Sequence, residues 1–416
     1  VYALVDCETM YASCEAVFRP DLRGKPIVVL SNNDGCIVAM NTAAKALGVP
    51  KFEPYFKLKH QLKKMGVYVF SSNYELYGDI SARIMNTLSS FAHDSHVYSI
   101  DEAFLDLHGH LFDPREWGYD VKQTIMQHTG MPVRVGIGAT KTLAKVANVI
   151  AKKIPRANGV CCIDDEAQRQ RILKSYPVEE VWGVGRSLTA RLELEHVKTA
   201  WDLTQLDLKT LRKNYSVVLE RTVRELKGMP CIPFHDEPEE RKQIVVSRAF
   251  SKPITELKPL QALTADYLTK AMVKLRKHKM LVECLIVKAS SSRFVNGYVS
   301  HHGVLKLPVP TNDTVYLAKL VSEAVERLFQ PGNKYVRSMV CLSELRPVQY
   351  HQGDLLAPEQ AARSIELMRT LDKLNLKNSN TVFLGSTGIK HHWAMAREMK
   401  SNNYTTSWAE LPKARC

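Results

Sequence analysis

The run YSIDEAFLDL, from Tyr98 to Leu107, alternates Tyr, Ile, Phe and Leu as a half-buried strand does, yet it sets two carboxylates side by side in its middle, Asp101 and Glu102. Successive side chains on a strand point to opposite faces, so an unbroken strand would part the two acids and send at least one toward the core. A buried carboxylate without a partner costs several kcal/mol or takes up a proton. Asp6, at the end of an apolar strand over residues 2–6, adds a third acid. If a tight turn or bulge falls at Asp101 and Glu102, both can face the end of that first strand. Three converging carboxylates repel one another unless cations neutralise them. Mg²⁺, which takes oxygen ligands from a few carboxylates plus substrate phosphates, is the natural ion. At this point the alternative stands open: Asp6 merely ends a strand, and Asp101 and Glu102 form an ordinary polar turn.

Composition narrows the classes. A chain of 416 residues exceeds one hydrophobic core, so roughly two to four domains are expected, and 45% hydrophobic content is ample to fill them. No stretch approaches about 18 consecutive apolar residues, and VYALVDCETM lacks a basic region leading into a long apolar one, so neither a membrane span nor a signal peptide is expected. The nine cysteines are scattered without paired spacing, which fits a reduced cytosolic protein with buried thiols better than a disulfide framework or a zinc site. Net charge is +14, and residues 241–347 hold 18 Lys and Arg against 7 Asp and Glu. A solvated surface would explain an even excess; one this concentrated points to a polyanion platform, and so to nucleic acid.

Along the chain, residues 1–165 read as strands with covering helices: strands at 2–6, 24–30 and 132–140, a compact helix NTAAKALGV capped by Asn41 and ended by Gly48, an amphipathic helix over 78–91, and the helix KTLAKVANVIAKK. Residues 167–236 read as helical. After the acidic link HDEPEE, strand signals at 243–250, 281–289, 303–307 and 335–342 enclose helical patterns at 259–279 and 313–329, a βαββαβ order. Beyond about 348 the periodicity is weak and no separate core is evident.

These segments, in this order, resemble the Y-family, the lesion-bypass DNA polymerases. DCETMYASCEAVFRPDLRGKPIVVL, NTAAKALGV, YSIDEAFLDL and VGIGATKTLAKVANVIAKK carry the likeness, and SNNDGC (31–36) with GSTGIKHHWAMAREMKSNNYTTSWAELP (385–412) extends it to the UmuC subfamily over essentially the whole chain. The resemblance implies an α+β multidomain fold, a right-hand polymerase with palm (1–20 and 78–166), fingers (21–77), helical thumb (167–236), little finger (241–347) and a C-terminal tail (348–416) for clamp or partner binding. It implies error-prone translesion addition of dNTPs to the 3′ end of primer-template DNA, in damage-induced mutagenesis in the bacterial cytoplasm, nucleoid-associated when active.

The resemblance also implies site residues. Asp6, Asp101 and Glu102 would bind two Mg²⁺ ions, with the carbonyl of Cys7 facing a metal, so that the ions clamp the attacking and leaving oxygens. Tyr11 falls at the steric gate that excludes a ribose 2′-hydroxyl; on the residues alone it reads instead as a core tyrosine of a helix that also buries Phe18, and the match to the family position reverses that preference. Lys152 would meet the triphosphate. Where the family has a Tyr and then an Arg, this chain has Thr42 and Lys45, and Lys45 cannot make the bidentate contact of Arg. Gly183 and Gly185 of GVG resemble a helix-hairpin-helix receiving a DNA phosphate, a helix cap being the alternative. In HQGDLLA, Gln352, Leu355 and Leu356 keep the spacing of a sliding-clamp motif, with Gly353 and Leu356 departing from the usual Leu and Phe. A processed UmuD-like dimer and the RecA filament are the further implied partners. Two other classes stay in view, a non-catalytic DNA-binding scaffold and a two-metal nuclease; intact acids argue against the first, and Tyr11 with Lys152 against the second.

Overall fold

The computed structural model describes residues 1–235, 241–293, 297–350, 362–377, 381–388 and 395–412, and all elements and contacts are those of these residues. The chain forms two compact units, Val1–Glu237 with Arg397–Cys416, and Pro238–Ala396.

In the first unit β1 (Tyr2–Cys7) runs into α1 (Met10–Val17). A three-stranded sheet of β2 (Ile27–Leu30), β3 (Ile37–Met40) and β4 (Tyr68–Ser71), in the order β3-β2-β4, carries α2 (Thr42–Ala46) and α3 (Tyr55–Lys64). Asn41 caps α2 by accepting the Ala44 N–H, and Gly48 takes the left-handed backbone that ends the turn. Next come α4 (Tyr74–Leu88), the hairpin β5 (Asp94–Val97) and β6 (Glu102–Asp106), α5 (Pro114–Thr129), β7 (Val133–Gly138), α6 (Lys141–Lys153) and β8 (Val160–Cys162). Their strands make one sheet in the order β5-β6-β1-β7-β8, with β1 central and antiparallel to both neighbours.

Alternation assigns the two faces of that sheet. Ala3, Val5, Cys7, Ala103, Leu105, Val133, Val135 and Ile137 belong to the core shared with α1, α4 and α5, whereas Leu4 and Phe104 pack with Ala144 of α6. The α6 side of the ladder therefore reads Phe104, Leu4 and Gly136 on one rung and Glu102, Asp6 and Arg134 on the next. The acids continue the face on which α6 lies.

Gly136 is what lets α6 approach. A Cβ there would stand 2.2 Å from the Asn148 nitrogen and 2.3 Å from the Ala144 oxygen, both backbone atoms that no rotamer change can move. Asn148 fastens the contact by donating to the carbonyls of Leu4 and Arg134. The other side of α6 packs through Leu143, Val146 and Ala147 with the helices α7 (Glu166–Ser175), α8 (Arg186–Leu194), α9 (Ala200–Gln205), α10 (Leu208–Asn214) and α11 (Val217–Leu226). Glu225, buried in α11, accepts from the Thr142 N–H and hydroxyl, fixing the start of α6.

The second unit follows the βαββαβ order: β9 (Gln243–Ile254), α12 (Leu257–Lys277), β10 (Met280–Ser290), β11 (Ser300–Thr311), α13 (Thr314–Leu328) and β12 (Tyr335–Pro347). The antiparallel sheet has the order β11-β10-β12-β9, and both helices pack on the face carrying Leu285, Val287, Val340 and Leu342. By register, Lys288, Lys306 and Arg337 lie on the opposite face. A further helix, α14 (Ala362–Lys377), buries Met368 and ties Asp372 to Arg276 at 2.6 Å.

Three features differ from the sequence expectation. Residues 98–101 are a turn between β5 and β6, not part of a strand, because backbone N–H groups of Tyr98 and Ser99 both return to the Glu102 carbonyl. The helix expected from residue 78 starts at Tyr74, capped by Asn73. The stretch beyond 348 is divided: residues to Ala396 belong to the second unit, and Arg397 onward returns to the first. No helix among the described residues is long and apolar enough to cross a membrane. The cysteines among them are free thiols.

Replacing Gly136 with Ala must push α6 off the sheet. Relief of a clash with fixed backbone is expected to cost about 3 kcal/mol or more, a fall of roughly 10 °C in the melting temperature of the first unit. Calorimetry on the full chain measures it; an unchanged melting temperature would refute the close-packing account.

Candidate active site

The β5–β6 turn answers the problem of the adjacent acids. Ser99 Oγ accepts the N–H groups of Asp101 (3.3 Å) and Glu102 (3.1 Å) and donates to the Asp101 carboxylate at 2.6 Å. The Cys7 N–H donates to the Asp101 carbonyl at 2.8 Å, closing the turn onto the end of β1. Glu102 then opens β6 directly across the ladder from Asp6. Its carboxylate meets Lys145 Nζ at 2.7 Å, and the ammonium lies over the Tyr98 ring (4.4 Å to the centroid) and near that of Trp182 (5.2 Å).

Asp6 feels this crowding. Its carboxyl is pushed up to about 7, first by burial, then by the negative charges of Glu102 and Asp101, with Lys152 and Arg134 pulling the other way. The three predicted acids thus share one electrostatic neighbourhood. They do not form a closed cage: no group of three or more His, Cys, Asp or Glu among the described residues is disposed to hold a metal by itself. The physical reason is visible in Glu102, drawn to Lys145, and Asp101, drawn to Ser99. The donor set still suits a hard divalent cation, since carboxylate oxygens are its preferred ligands and a cation would offset the repulsion from Glu102 and Asp101 that, after burial, raises the Asp6 carboxyl.

Lys152 and Arg134, which act on Asp6, belong to a cluster of cations. The Lys45 ammonium is lowered from its ordinary value by partial burial and then by the positive charges of Lys152, Lys51 and Arg134. Lys45 on α2 and Lys152 on α6 are therefore brought near each other from elements a hundred residues apart in the chain. Arg134 and Lys145 were missed. Arg134 is the one charged residue in the strand β7, and it pairs with Glu8 at 2.7 Å. Lys141, Lys145 and Lys152 recur at intervals of four and seven, one helical face, which is the signal that could have found Lys145.

Tyr11 is half-buried on α1, with its ring stacked on Tyr77 (centroids 4.6 Å, planes 15° apart) and edge-on to Tyr74 (6.0 Å). Its hydroxyl is raised above the ordinary value by burial first, then by Tyr74 and Asp101, so it too borders the acids. Behind it Tyr77 donates to Glu15 Oε1 at 2.6 Å, and Glu15 is wholly buried with Oε2 lacking a hydrogen-bond partner. Burial pushes the Glu15 carboxyl up to about 7 against the bonds from Tyr77 and Ser401.

Gly183 has φ +88°, a conformation that favours glycine, and Gly185 caps α8 without a side-chain acceptor. Backbone N–H groups at that helix start can take a phosphate, but Glu179, Glu180 and Glu193 line the adjoining depression beside Arg186, so no cluster of cations reinforces them. Gln352, Leu355 and Leu356 lie outside the described residues.

Residues 5–149 match the impB/mucB/samB family and residues 241–355 its C-terminal domain, while 366–414 match a domain of unknown function, DUF4113. Protein UmuC of Salmonella typhimurium is 39% identical over 420 residues, 99% of both chains. The chain belongs to the impB/mucB/samB family. Protein MucB of Escherichia coli is 36% identical over all of this chain and 99% of its own. More distantly, DNA polymerase IV of Saccharolobus solfataricus is 26% identical over 351 residues, 80% of this chain and 96% of that one. Among solved structures, a Y-family DNA polymerase chimera of Dbh and Dpo4 superposes with a TM-score of 0.63 at 22% identity, covering 83% of this chain and 99% of the chimera. This likeness shows that the family member has the Y-family polymerase fold.

Glu15 generates a pH prediction. Its carboxyl ionises near 4.5 when unfolded and near 7 in the fold. The raised folded value means that the stability from neutral Glu15 is complete below about pH 4.5 and is lost as pH rises through about 7. Glu15→Gln removes that loss, so between pH 5 and pH 8.5 the variant should gain roughly 2 to 3 kcal/mol relative to the parent. Denaturant titration at the two pH values measures it; parallel behaviour of the two proteins would refute the buried neutral acid.

Proposed function

We propose that the chain is an error-prone, translesion DNA-directed DNA polymerase of the UmuC-type Y-family, binding primer-template DNA and a dNTP at the site formed by β1, the β5–β6 turn, α1, α2 and α6. The observation that carries the reading is one shared neighbourhood of charge, in which Asp6 feels Glu102, Asp101, Lys152 and Arg134, the last two also act on Lys45, and Tyr11 lies in the field of Asp101. Carboxylates and ammonium groups facing each other make a place for a cation and a polyphosphate together.

On this reading Lys45 and Lys152 hold the triphosphate as point charges, and Tyr11, backed by Tyr77, stands against the sugar. Asp6, Asp101, Glu102 and the Cys7 carbonyl would hold the divalent metal, taken to be two Mg²⁺ ions. When bound, these neutralise the attacking 3′-oxygen and the departing pyrophosphate. The protein contributes position and charge and no covalent step. Lys145 holds Glu102 in its rotamer until the metal competes for the carboxylate.

The palm is then 1–20 with 78–166, the fingers 21–77, the thumb 167–236, the little finger 241–347 and the tail 348–416. Lys288, Lys306 and Arg337 on the open sheet face suit duplex phosphates, and Gly183 with Gly185 a backbone contact to one phosphate. A processed UmuD-like dimer, the RecA filament and a sliding clamp engaged through Gln352, Leu355 and Leu356 complete the proposed setting in the bacterial cytoplasm.

Primer extension tests the assignment. Asp101→Asn or Asp6→Asn should lower single-nucleotide addition at least about 100-fold, while affinity for primer-template stays within a factor of about three, because the open sheet face is untouched. Extension at the parent rate by either variant would overturn the site. Lys152→Ala should instead raise the KM for dNTP with a smaller effect on kcat; a kcat-only loss would remove Lys152 from the triphosphate.

A further inference from the structure

The two stretches that mark the subfamily resemblance, 31–36 and 385–412, meet in the fold. The Glu398 N–H donates to the Asp34 carboxylate at 2.9 Å. Beside it, Met399 pairs with Ser71 at the end of β4, its N–H donating to Ser71 Oγ and its carbonyl accepting the Ser71 N–H, both at 3.0 Å. The segment then reaches α4. Asn73, fully buried, spends its carboxamide nitrogen on Ser401 O, Ser401 Oγ and Asn402 O at 3.1 to 3.2 Å while its oxygen caps α4 through the Leu76 N–H. Arg397 and Lys400 flank the same helix start at Glu75, 3.2 and 3.4 Å away. The segment touches α1 as well: the Ser401 hydroxyl donates to Glu15 Oε1 at 3.1 Å, and Tyr404 stacks on Phe18 at 4.8 Å.

These contacts converge on the wall behind Tyr11. Both Tyr74 and Tyr77, the rings that touch Tyr11, ride on the helix whose first turn is capped by Asn73. Glu15, which holds the Tyr77 hydroxyl, takes its second hydrogen bond from Ser401. Remove the segment and Asn73 keeps a buried amide nitrogen without acceptors, while Glu15 retains only Tyr77. Residues 397–404 belong to the matched domain of unknown function, which thus acquires a role by position.

We propose that residues 397–404 are a positioning strap for sugar discrimination, with Ser401 acting through Glu15 and Tyr77 to hold Tyr11 against the deoxyribose of the incoming nucleotide. The proposal rests on the polymerase reading and on Tyr11 as its sugar gate. On this reading the strap residues act through the wall behind Tyr11 and not on the nucleotide. Their effect is to narrow the positions Tyr11 can take, so losing one strap bond should relax selection against a 2′-hydroxyl more than it slows addition of the correct dNTP.

The test is single-nucleotide kinetics with the full chain on one primer-template, comparing dGTP with GTP opposite dC. Ser401→Ala is expected to lower the ratio of kcat/KM for dGTP over GTP by about threefold to tenfold, the worth of one net hydrogen bond, with kcat for dGTP and the DNA Kd within about twofold of the parent. Ser401→Thr, which keeps the hydroxyl, should restore the ratio. Tyr11→Ala is run alongside. A relaxed ratio in Tyr11→Ala with an unchanged ratio in Ser401→Ala overturns the strap alone. An unchanged ratio in Tyr11→Ala overturns the gate and the strap with it, and a parent that adds no dGTP overturns the polymerase reading beneath both. A ratio change that Thr fails to rescue, or that comes with loss of DNA binding, marks general loosening and also overturns the proposal. If Ser401→Ala does not fold, Tyr404→Leu carries the same expectation and the same overturning result.

Discussion

The five-stranded sheet of the first unit and the helix laid on it answer to one rung of a β-ladder, where Asp6 on β1 and Glu102 on β6 stand directly opposite each other. Like charges in that relation destabilise a sheet. The fold tolerates the pair by lowering a cationic helix onto the same face: α6 brings Lys145 to Glu102 and Lys152 into the field of Asp6. That helix can come so near only because β7 has no side chain at Gly136. Burial of α6 against α7 to α11 on its far side then makes the helical region part of the site's support, although none of its helices carries one of the acids. A glycine, a like-charge rung and a lysine face are one solution, and within it burial first and the neighbouring Glu102 and Asp101 second still push the Asp6 carboxyl up to about 7.

Much of this was legible in the sequence because it rests on local chemistry. Asn41 as an N-cap, Gly48 as a C-terminal stop and the run of small and aliphatic residues in α6 each specify an element without help from the rest of the chain. The βαββαβ order was legible for the same reason, since four alternating strands and two apolar helix faces form their own core. The adjacency of Asp101 and Glu102 could be read as a demand for a turn, but not which turn. Tyr98 and Ile100 have strand-like side chains and were drawn into a loop by the Ser99 hydroxyl, which no periodicity announces. Lys145 was overlooked because a lysine inside a helix is ordinarily solvated. Only the fold shows that Glu102 and the rings of Tyr98, Phe104 and Trp182 await it.

The C-terminal segment was illegible for a different reason. Residues 397–404 hold to the first unit through backbone groups, the side chains of Arg397, Lys400 and Ser401 and one stacked ring, so they need neither the period of a helix nor that of a strand. Their core is borrowed. A segment of this kind is recognisable only by its partner, and the partner here is SNNDGC with the start of α4, more than three hundred residues earlier.

That distance in sequence has a consequence for how the site is assembled. The acid rung and α6 come from the first 153 residues and can form as soon as β1, β6 and β7 pair. The wall behind Tyr11 cannot be finished then, because the acceptors for Asn73 and the second donor to Glu15 lie at Ser401 and Asn402. Contacts of such separation must offset the closure entropy of a very long loop, and that entropy grows only slowly with length. The acid rung is thus complete within the first 153 residues, whereas the wall behind Tyr11 depends on Ser401 and Asn402, so the two sides of the candidate site are held by separable parts of one chain.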